Sequence, residues 1–235
     1  MTLAEIQEQI ALDVDNSSSA PSATDTEYIR RRKIINRYER LFFTRRNHIW
    51  NLLLKEAEVP TVAQQSYVAV PADCAEGRLN LSNDGYIKIG NNWYRFINRH
   101  EVDNKYDGEK ICYITGNNPD GFVLNISPTP DSVETVYLRY YSNYFAVDAA
   151  GDGKAVMTET TDETKCPSPF YIIFSTIAEI FKVDDENATG LDYERRAEEE
   201  MKDALANENQ GSYQQGFSIK SESELNGYPG IGRWT

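Results

Sequence analysis

Few residues in this sequence could carry out chemistry, and their spacing matches no common type of site. The two histidines, His48 and His100, have no cysteine or histidine at metal-ligand spacing, so each is predicted to be a surface or packing residue. The run Gly151–Lys154 lacks the first glycine and the final hydroxyl residue of a phosphate-binding loop. In Asp103–Glu109, Lys105 stands where a calcium loop supplies an oxygen. The sequence therefore predicts no catalytic residue, no cofactor and no metal.

Cysteines and acidic residues are the other candidates for chemistry. Cys74, Cys112 and Cys166 are odd in number and far apart, which makes a poor disulfide framework, so we expect buried and reduced thiols. The 37 aspartates and glutamates leave open a pair of acids in a cleft, as in glycoside hydrolysis, because spatial pairing is invisible in a sequence. A solvated acidic surface is the simpler interpretation.

Charge is unevenly distributed along the chain. The net charge of −13 argues against a general nucleic-acid-binding protein. One short segment nevertheless holds a basic cluster, namely Arg30, Arg31, Arg32, Lys33, Arg37, Arg40, Arg45 and Arg46. Two interpretations are open for this cluster. It is either a helix face that is solvated or paired with acidic neighbours, or a surface that contacts DNA or the acidic face of another subunit.

Length and hydropathy indicate a globular protein. The 235 residues are 40% hydrophobic and 26% charged, enough for one core or for one core and a smaller companion. No apolar run approaches the roughly 18 to 20 residues that span a membrane. Residues 1–5 lack the basic and apolar regions of a secretory signal. We expect a protein that stays in the cytosol where it is made and has no membrane contact.

The first 60 residues are predicted to be helical. Thr2 and Glu5 form a capping-box pattern in front of a short amphipathic helix. The small and polar residues 16–24 follow as a linker. A second capping box at Thr24–Glu27 begins a long helix that ends before Pro60. Its apolar stripe consists of Ile34, Ile35, Tyr38, Leu41, Phe42, Ile49, Leu52 and Leu53.

Residues 61–147 are predicted to form a β domain. Two runs, 86–89 and 93–97, flank Gly90 and two asparagines, which is typical of a hairpin. Residues 111–114 and 122–126 flank a second Gly- and Asn-rich turn, and 136–141 continue the pattern. The domain holds 13 of the 27 aromatic residues, which suit a half-buried pleated surface. A small antiparallel sandwich or barrel is therefore expected.

Helices return in residues 148–210 after a polar loop. Ser168 and Pro169 are typical of a helix start, and the nearly apolar run 170–183 predicts the most buried helix of the protein. A last helix is predicted to begin at Thr189–Asp192. Residues 211–235 are rich in Ser, Gln, Gly and Tyr and cannot build a core. They are either a disordered tail or an arm that anchors to a partner through Phe217, Tyr228, Ile231 and Trp234.

The predicted fold class is α+β: a helical bundle from the N- and C-terminal segments, an inserted antiparallel β domain and an extended C-terminal arm. The order of these elements, with the runs 67–73, 122–128, 136–141, 169–174 and 192–197, resembles the head-to-tail connector (adaptor, or head-completion) proteins of tailed bacteriophages. The resemblance covers about residues 1–210 and includes no catalytic signature. It implies a non-enzymatic subunit of a ring, commonly a dodecamer, beneath the portal.

This resemblance sets the functional expectation. We expect a virion protein of the neck, assembled in the host cytoplasm, that joins portal to tail and lets DNA pass through its ring. Its partners are then further copies of itself, the portal, tail or nozzle proteins and, transiently and without sequence specificity, the genomic DNA. The alternatives are another tail component, such as a tail terminator or baseplate module, and a hydrolase of cell-wall carbohydrate.

Overall fold

The computed structural model describes residues 1–45, 48, 50–81, 85–99, 108–117, 120–184 and 186–216. This part of the chain holds four α-helices and eleven β-strands, so the predicted α+β class is confirmed. None of the described helices is both long enough and apolar enough to cross a membrane. All three cysteines are buried and unpaired, as predicted.

The first helix, α1, forms as the sequence predicts. It spans Leu3–Val14, and the Thr2 hydroxyl accepts a hydrogen bond from the Glu5 backbone N–H while the Glu5 carboxylate accepts one from the Thr2 N–H. Both bonds of the capping box are therefore present, which satisfies two amides that the helix leaves unpaired. Leu3, Ile6 and Ile10 are fully buried on one face.

The second helix, α2, spans Thr26–Thr44 and is shorter than predicted. The expected capping box is wrong, because the Glu27 carboxylate bonds Arg31 at 2.9 Å and the cap residue, Asp25, makes no side-chain capping bond. The helix prediction up to Pro60 is also wrong. Arg45 already has an extended backbone, a 3₁₀ turn covers Asn51–Leu53, and Leu54–Pro60 forms strand β1.

Tertiary packing accounts for this early helix end. Trp50 is buried and stacks on Phe42 of α2, with ring centroids 4.5 Å apart, so the chain folds back on the helix. The residues of β1 then pair with another strand of the sheet, from Leu54 opposite Tyr141 to Pro60 opposite Thr135. Cross-strand bonding of this kind overrides helical spacing.

The main sheet consists of β1 and seven further strands: β2 Tyr67–Ala69, β3 Cys74–Leu79, β4 Tyr86–Ile89, β5 Asn92–Phe96, β6 Ile111–Asn117, β7 Gly121–Ser127 and β8 Thr135–Ser142. Their order is β1-β8-β4-β5-β6-β7-β2, and β3 also pairs with β8. The predicted hairpin is β4 and β5, joined at Gly90, whose φ of +56° favours glycine. Pairing is antiparallel throughout except between β5 and β6, which are parallel, so the prediction of an antiparallel domain is wrong at this pair.

A small second sheet leads to the last two helices. Its strands are β9 Ala146–Val147, β10 Gly153–Lys154 and β11 Glu163–Thr164, with β9 in the middle. Helix α3 spans Pro169–Val183 after Ser168, as predicted, and more than half of its residues are buried. Helix α4 spans Asn187–Gly216 and begins two residues before the predicted start. Residues 211–216, predicted as part of the arm, are the end of α4.

Two hydrophobic cores organise the chain. One is shared by the four helices, and α3 contacts each of the other three. The other lies within the main sheet and is built from β-branched and aromatic side chains. Strand β8 belongs to both, because Leu138 and Tyr140 face the sheet core while Tyr141 packs on the helical core. The bundle geometry and the division into domains at residues 60, 147 and 210 stay predictions.

Candidate interaction surfaces

The residues considered for catalysis have structural partners. The His48 Nε2 atom lies 2.6 Å from a carboxylate oxygen of Glu208, and the other oxygen of that group accepts the Asn51 N–H. In the Gly151–Lys154 run, the amide of Asp152 bonds the Asp148 carboxylate, so this amide is not available to a phosphate. Among the described residues, no group of three or more His, Cys, Asp or Glu side chains could hold a metal ion. His100 and residues 103–107 lie outside the described residues.

Arg31 departs most from the picture of a solvated basic face. Its side chain is buried, and it bonds Asp15 and Glu27, each at 2.9 Å. Arg30 adds a looser pair with Glu27 at 3.5 Å. Arg31 therefore links α2 to the end of α1 within one subunit, and it is not accessible to DNA.

Other members of the basic cluster join α2 to the C-terminal helices. Arg37 forms an ion pair with Glu179 of α3, and Arg45 forms one with Glu198 of α4. The acidic residues of the C-terminal helices thus neutralise part of the basic cluster inside the subunit. Such half-exposed pairs contribute about 0–1 kcal/mol each to stability, so they orient the helices more than they stabilise them.

The rest of the basic cluster is divided between two sides of α2. Arg32 donates to the Thr158 carbonyl at 2.8 Å. Lys33 and Arg40 are exposed and make no ion pair among the described residues. Arg46 lies outside the described residues. The structure does not bring the eight predicted residues together on one surface, and their contact with DNA or with a neighbouring subunit stays a prediction.

Arg40 borders a cavity of about 380 Å³ between α2 and strand β8, called here the α2–β8 groove. Its lining combines aromatic and apolar residues with polar and basic ones, and it includes Arg40, Phe43, His48, Trp50, Arg78, Tyr141, Phe145 and Val156. Phe43 and Phe145 stack with ring centroids 5.1 Å apart. Val156 is 46% exposed although it is apolar. Concave apolar surfaces of this volume are typical of binding sites.

A second surface lies on the main sheet. Register places Lys88 beside both Trp93 and Tyr137, and Tyr137 beside Glu58, so these four residues form a row across β5, β4, β8 and β1. We call this the aromatic row. Trp93 is 57% exposed and Tyr137 42% exposed, and the Lys88 ammonium lies 5.0 Å from the Tyr137 ring centre. The four residues line a cavity of about 510 Å³, and large exposed aromatics are common in protein interfaces.

Asp73 connects the strands on which the groove rests. Its carboxylate accepts hydrogen bonds from Lys55 at 2.7 Å, from the Tyr140 hydroxyl at 2.8 Å and from the Ser142 hydroxyl at 2.9 Å. Burial would raise the pKa of Asp73, but these three hydrogen bonds outweigh burial and hold the pKa below its ordinary value. Asp73 is therefore a charged tie between β1, β8 and the turn before β3.

Glu39 of α2 is buried in a different way. It is 1% exposed, and neither carboxylate oxygen has a hydrogen-bond partner among the described residues. Burial raises the pKa of Glu39 to about 8, and the nearby Thr164 and Lys165 offset only part of that rise. Lys165 donates to the Tyr144 carbonyl at 2.8 Å, and burial lowers its pKa. Below a pH of about 8 the protonated form of Glu39 is therefore favoured, although Glu39 interacts with the partly buried Lys165.

Sequence patterns missed several of these residues. Trp93 and Tyr137 belong to the 13 aromatic residues that were predicted only to suit a half-buried pleated surface. Strand alternation puts Trp93 on the face opposite to the buried Tyr94, and this signal was available. The apolar Val156 inside a polar loop was a second available signal. Nothing in the sequence alone brings Asp73 to Tyr140 and Ser142. The predicted arm anchors Phe217, Tyr228, Ile231 and Trp234 lie outside the described residues.

Comparison with known proteins gives one result that spans nearly the whole chain. A family model described as SU10 adaptor protein matches residues 1–219. The match therefore covers all four helices and every strand of both sheets. No curated protein matches the chain.

Proposed function

The chain belongs to the SU10 adaptor protein family, a family of phage structural adaptors, and from this membership we propose that it forms the ring that connects portal to tail. In this proposal the helices pack subunit against subunit, the C-terminal arm docks on the portal and the DNA passes through the centre. The ring copy number expected is twelve. The family match over residues 1–219 is the observation that carries the proposal.

Surface chemistry supports an assembly role. Lys33 and Arg40 project from α2 without an ion pair among the described residues, and Asp203 is an exposed acid of α4. In a ring, the same two faces meet at every interface, so a basic face and an acidic face on one subunit become complementary between neighbours. We assign the exposed part of the basic cluster to these subunit contacts, with DNA in the channel as the alternative partner.

The arm is the second part of the proposal. Residues 217–235 follow α4 and carry Phe217, Tyr228, Ile231 and Trp234, which are the types of side chain that dominate binding energy when they fill pockets. A short segment with several such anchors can bind a larger protein while the helices and sheet stay as they are. We propose that this arm binds the portal.

Electron microscopy of the purified protein, alone and mixed with a portal, tests both parts. Rings of one copy number, or rings that form on the portal, are the expected result. A chain that ends at Gly216 should fold normally but lose portal binding. Monomers in every condition would contradict the ring, and unchanged binding by the shortened chain would contradict the arm.

The aromatic row favours a second candidate, another tail component that binds protein or sugar through its sheet. Trp93 and Tyr137 are exposed in a way that the adaptor role does not require. The double variant Trp93→Ala and Tyr137→Ala separates the candidates. If the chain is the adaptor, rings of the variant still form on the portal, and only attachment of the next tail protein weakens.

The second candidate replaces the first under two conditions. The original chain must form no rings, and the double variant must lose a binding to cell-surface glycan that the original chain shows.

A further inference from the structure

The α2–β8 groove is lined by apolar and polar side chains. Phe43, Tyr141 and Phe145 supply aromatic rings, and Arg40 and Asn143 are among the polar residues. The N–H and carbonyl groups of a peptide backbone must be paired wherever a chain is buried. A groove of mixed lining therefore suits a chain segment with both polar and apolar side chains.

The rim of the groove adds charge to this pattern. The guanidinium of Arg40 is exposed there, and it makes no ion pair among the described residues. The stacked rings of Phe43 and Phe145 provide the apolar part. A fitting occupant is therefore an extended chain segment with carboxylates followed by apolar side chains.

The chain itself contains such a segment close by. Glu222 and Glu224 precede Leu225 and Tyr228, and the stretch 222–228 contains no basic residue. Within α4, Glu208 bonds His48 and the Asn51 N–H, so the helix passes directly beside the groove. Gly216 lies eight residues further on, about 12 Å along a helix, and the 19 residues after it reach up to about 60 Å when extended.

We propose that residues 222–228 occupy the α2–β8 groove of their own subunit before assembly, with Glu222 and Glu224 beside Arg40 and with Leu225 and Tyr228 against Phe43 and Phe145. This inference rests on the proposed portal-binding role of the C-terminal arm and gives that arm an earlier binding site. Because one arm cannot occupy both sites, the groove competes with the portal. The free subunit thereby holds back its arm until the portal displaces it.

Limited proteolysis of the full chain tests the groove directly. Chymotrypsin cuts after Leu225, and mass spectrometry gives the initial rate at this site; the bond after Tyr228 is resistant because Pro229 follows it. The variants Arg40→Glu and Val156→Arg each change an exposed side chain at the groove, and we expect each to raise the rate at Leu225 about tenfold, which corresponds to about 1.4 kcal/mol of lost binding. Thermal unfolding confirms that both variants are folded.

Matched controls isolate the groove. Lys33→Glu makes the same charge change on an exposed site of the same helix, and Val133→Arg places an arginine at another exposed valine; both should leave the cleavage rates unchanged. Reversing the segment charge with Glu222→Lys and Glu224→Lys in the Arg40→Glu chain should restore protection. Equal rates in the original chain, Arg40→Glu and Val156→Arg would overturn the proposal.

Two further results distinguish the possible failures. Protection that rises with protein concentration would overturn binding within one subunit, because the occupant would then be the segment of a second copy. Binding of the portal by a chain that ends at Gly216 would sink the proposed portal docking but leave the proteolysis result standing. If both proposals hold, Val156→Arg, which leaves the proposed subunit contacts unchanged, binds the portal more tightly than the original chain does.

Discussion

Asp73 and Glu39 are both buried carboxylates, yet their surroundings push their pKa values in opposite directions. Asp73 receives three hydrogen bonds from Lys55, Tyr140 and Ser142, and its pKa is lowered. Glu39 has no hydrogen bond of ordinary geometry among the described residues; burial raises its pKa to about 8, and the nearby Thr164 hydroxyl offsets only part of that rise. Burial alone therefore does not decide whether a carboxyl group is ionised, because the hydrogen-bond donors around the group also shift its pKa. The surroundings of Asp73 in the sheet favour its ionised form, whereas the surroundings of Glu39 on α2 favour its protonated form.

The largest expected effect comes from removing the satisfied carboxylate. Asp73→Ala leaves the buried Tyr140 and Ser142 hydroxyls without their acceptor and Lys55 without its anion, so we expect a loss of about 3 kcal/mol of unfolding free energy. Urea unfolding at pH 7 measures it. The control is Glu56→Ala, which breaks the exposed pair with Arg139 and should cost less than about 1 kcal/mol. Similar losses in both variants would contradict the special role of Asp73.

Acid provides a second check on the same variant. The folded pKa of Asp73 is below the ordinary 3.8, so its carboxylate stabilises the fold above that pH, and the contribution is lost as pH falls through the folded pKa. The difference in stability between the original chain and Asp73→Ala should therefore shrink in strong acid. A difference that stays constant with pH would mean that packing, not charge, accounts for the loss.

Glu39→Gln is expected to raise the free energy of unfolding, whereas Asp73→Ala lowers it. Between pH 4.5 and about 8 the unfolded chain ionises Glu39 while the folded chain keeps its proton, so stability falls as pH rises. The slope is at most about 1.4 kcal/mol per pH unit. Glutamine cannot ionise, so the variant should gain about 2–3 kcal/mol over the original chain between pH 5 and pH 7. Urea unfolding at several pH values measures this gain.

The control for Glu39 is an exposed glutamate. Glu8 is exposed on α1, so Glu8→Gln should give a curve of unfolding free energy against pH that is parallel to that of the original chain. If Glu39→Gln also gives a parallel curve, then Glu39 is ionised in the folded state and an additional donor must satisfy it. That outcome would remove the contrast with Asp73.

The two carboxylates also show how far sequence patterns reach. Glu39 follows Ile35 by four residues and precedes Phe42 by three, so helical spacing alone places it on the buried stripe of α2. Its burial was therefore predictable. The sequence indicates Asp73 only as the end of the run 67–73, because its partners Lys55, Tyr140 and Ser142 come from strands that meet only in the folded sheet.

Strands and helices show the same division between local and distant causes. The β4–β5 hairpin and the α1 capping box depend on neighbouring residues, and both were predicted. Strand β1 depends on pairing with β8, about 80 residues away, and was mistaken for helix. The α2–β8 groove brings together residues from α2, β8 and the loop before α3, so no single stretch of sequence could indicate it.

Lys165→Met should have the smallest effect and would sharpen the comparison most. Lys165 interacts electrostatically with both Asp73 and Glu39, so it couples the two. Its positive charge lowers the pKa of Glu39, and methionine should let that pKa rise further.

A double-mutant cycle of Lys165→Met with Glu39→Gln should give a coupling energy of about 0.5–1 kcal/mol at pH 9, where Glu39 is ionised. At pH 6 the coupling should approach zero because Glu39 keeps its proton. A coupling energy that is the same at both pH values would show that Lys165 and Glu39 interact through packing. The protonation of Glu39 would then not affect the interaction between these two side chains.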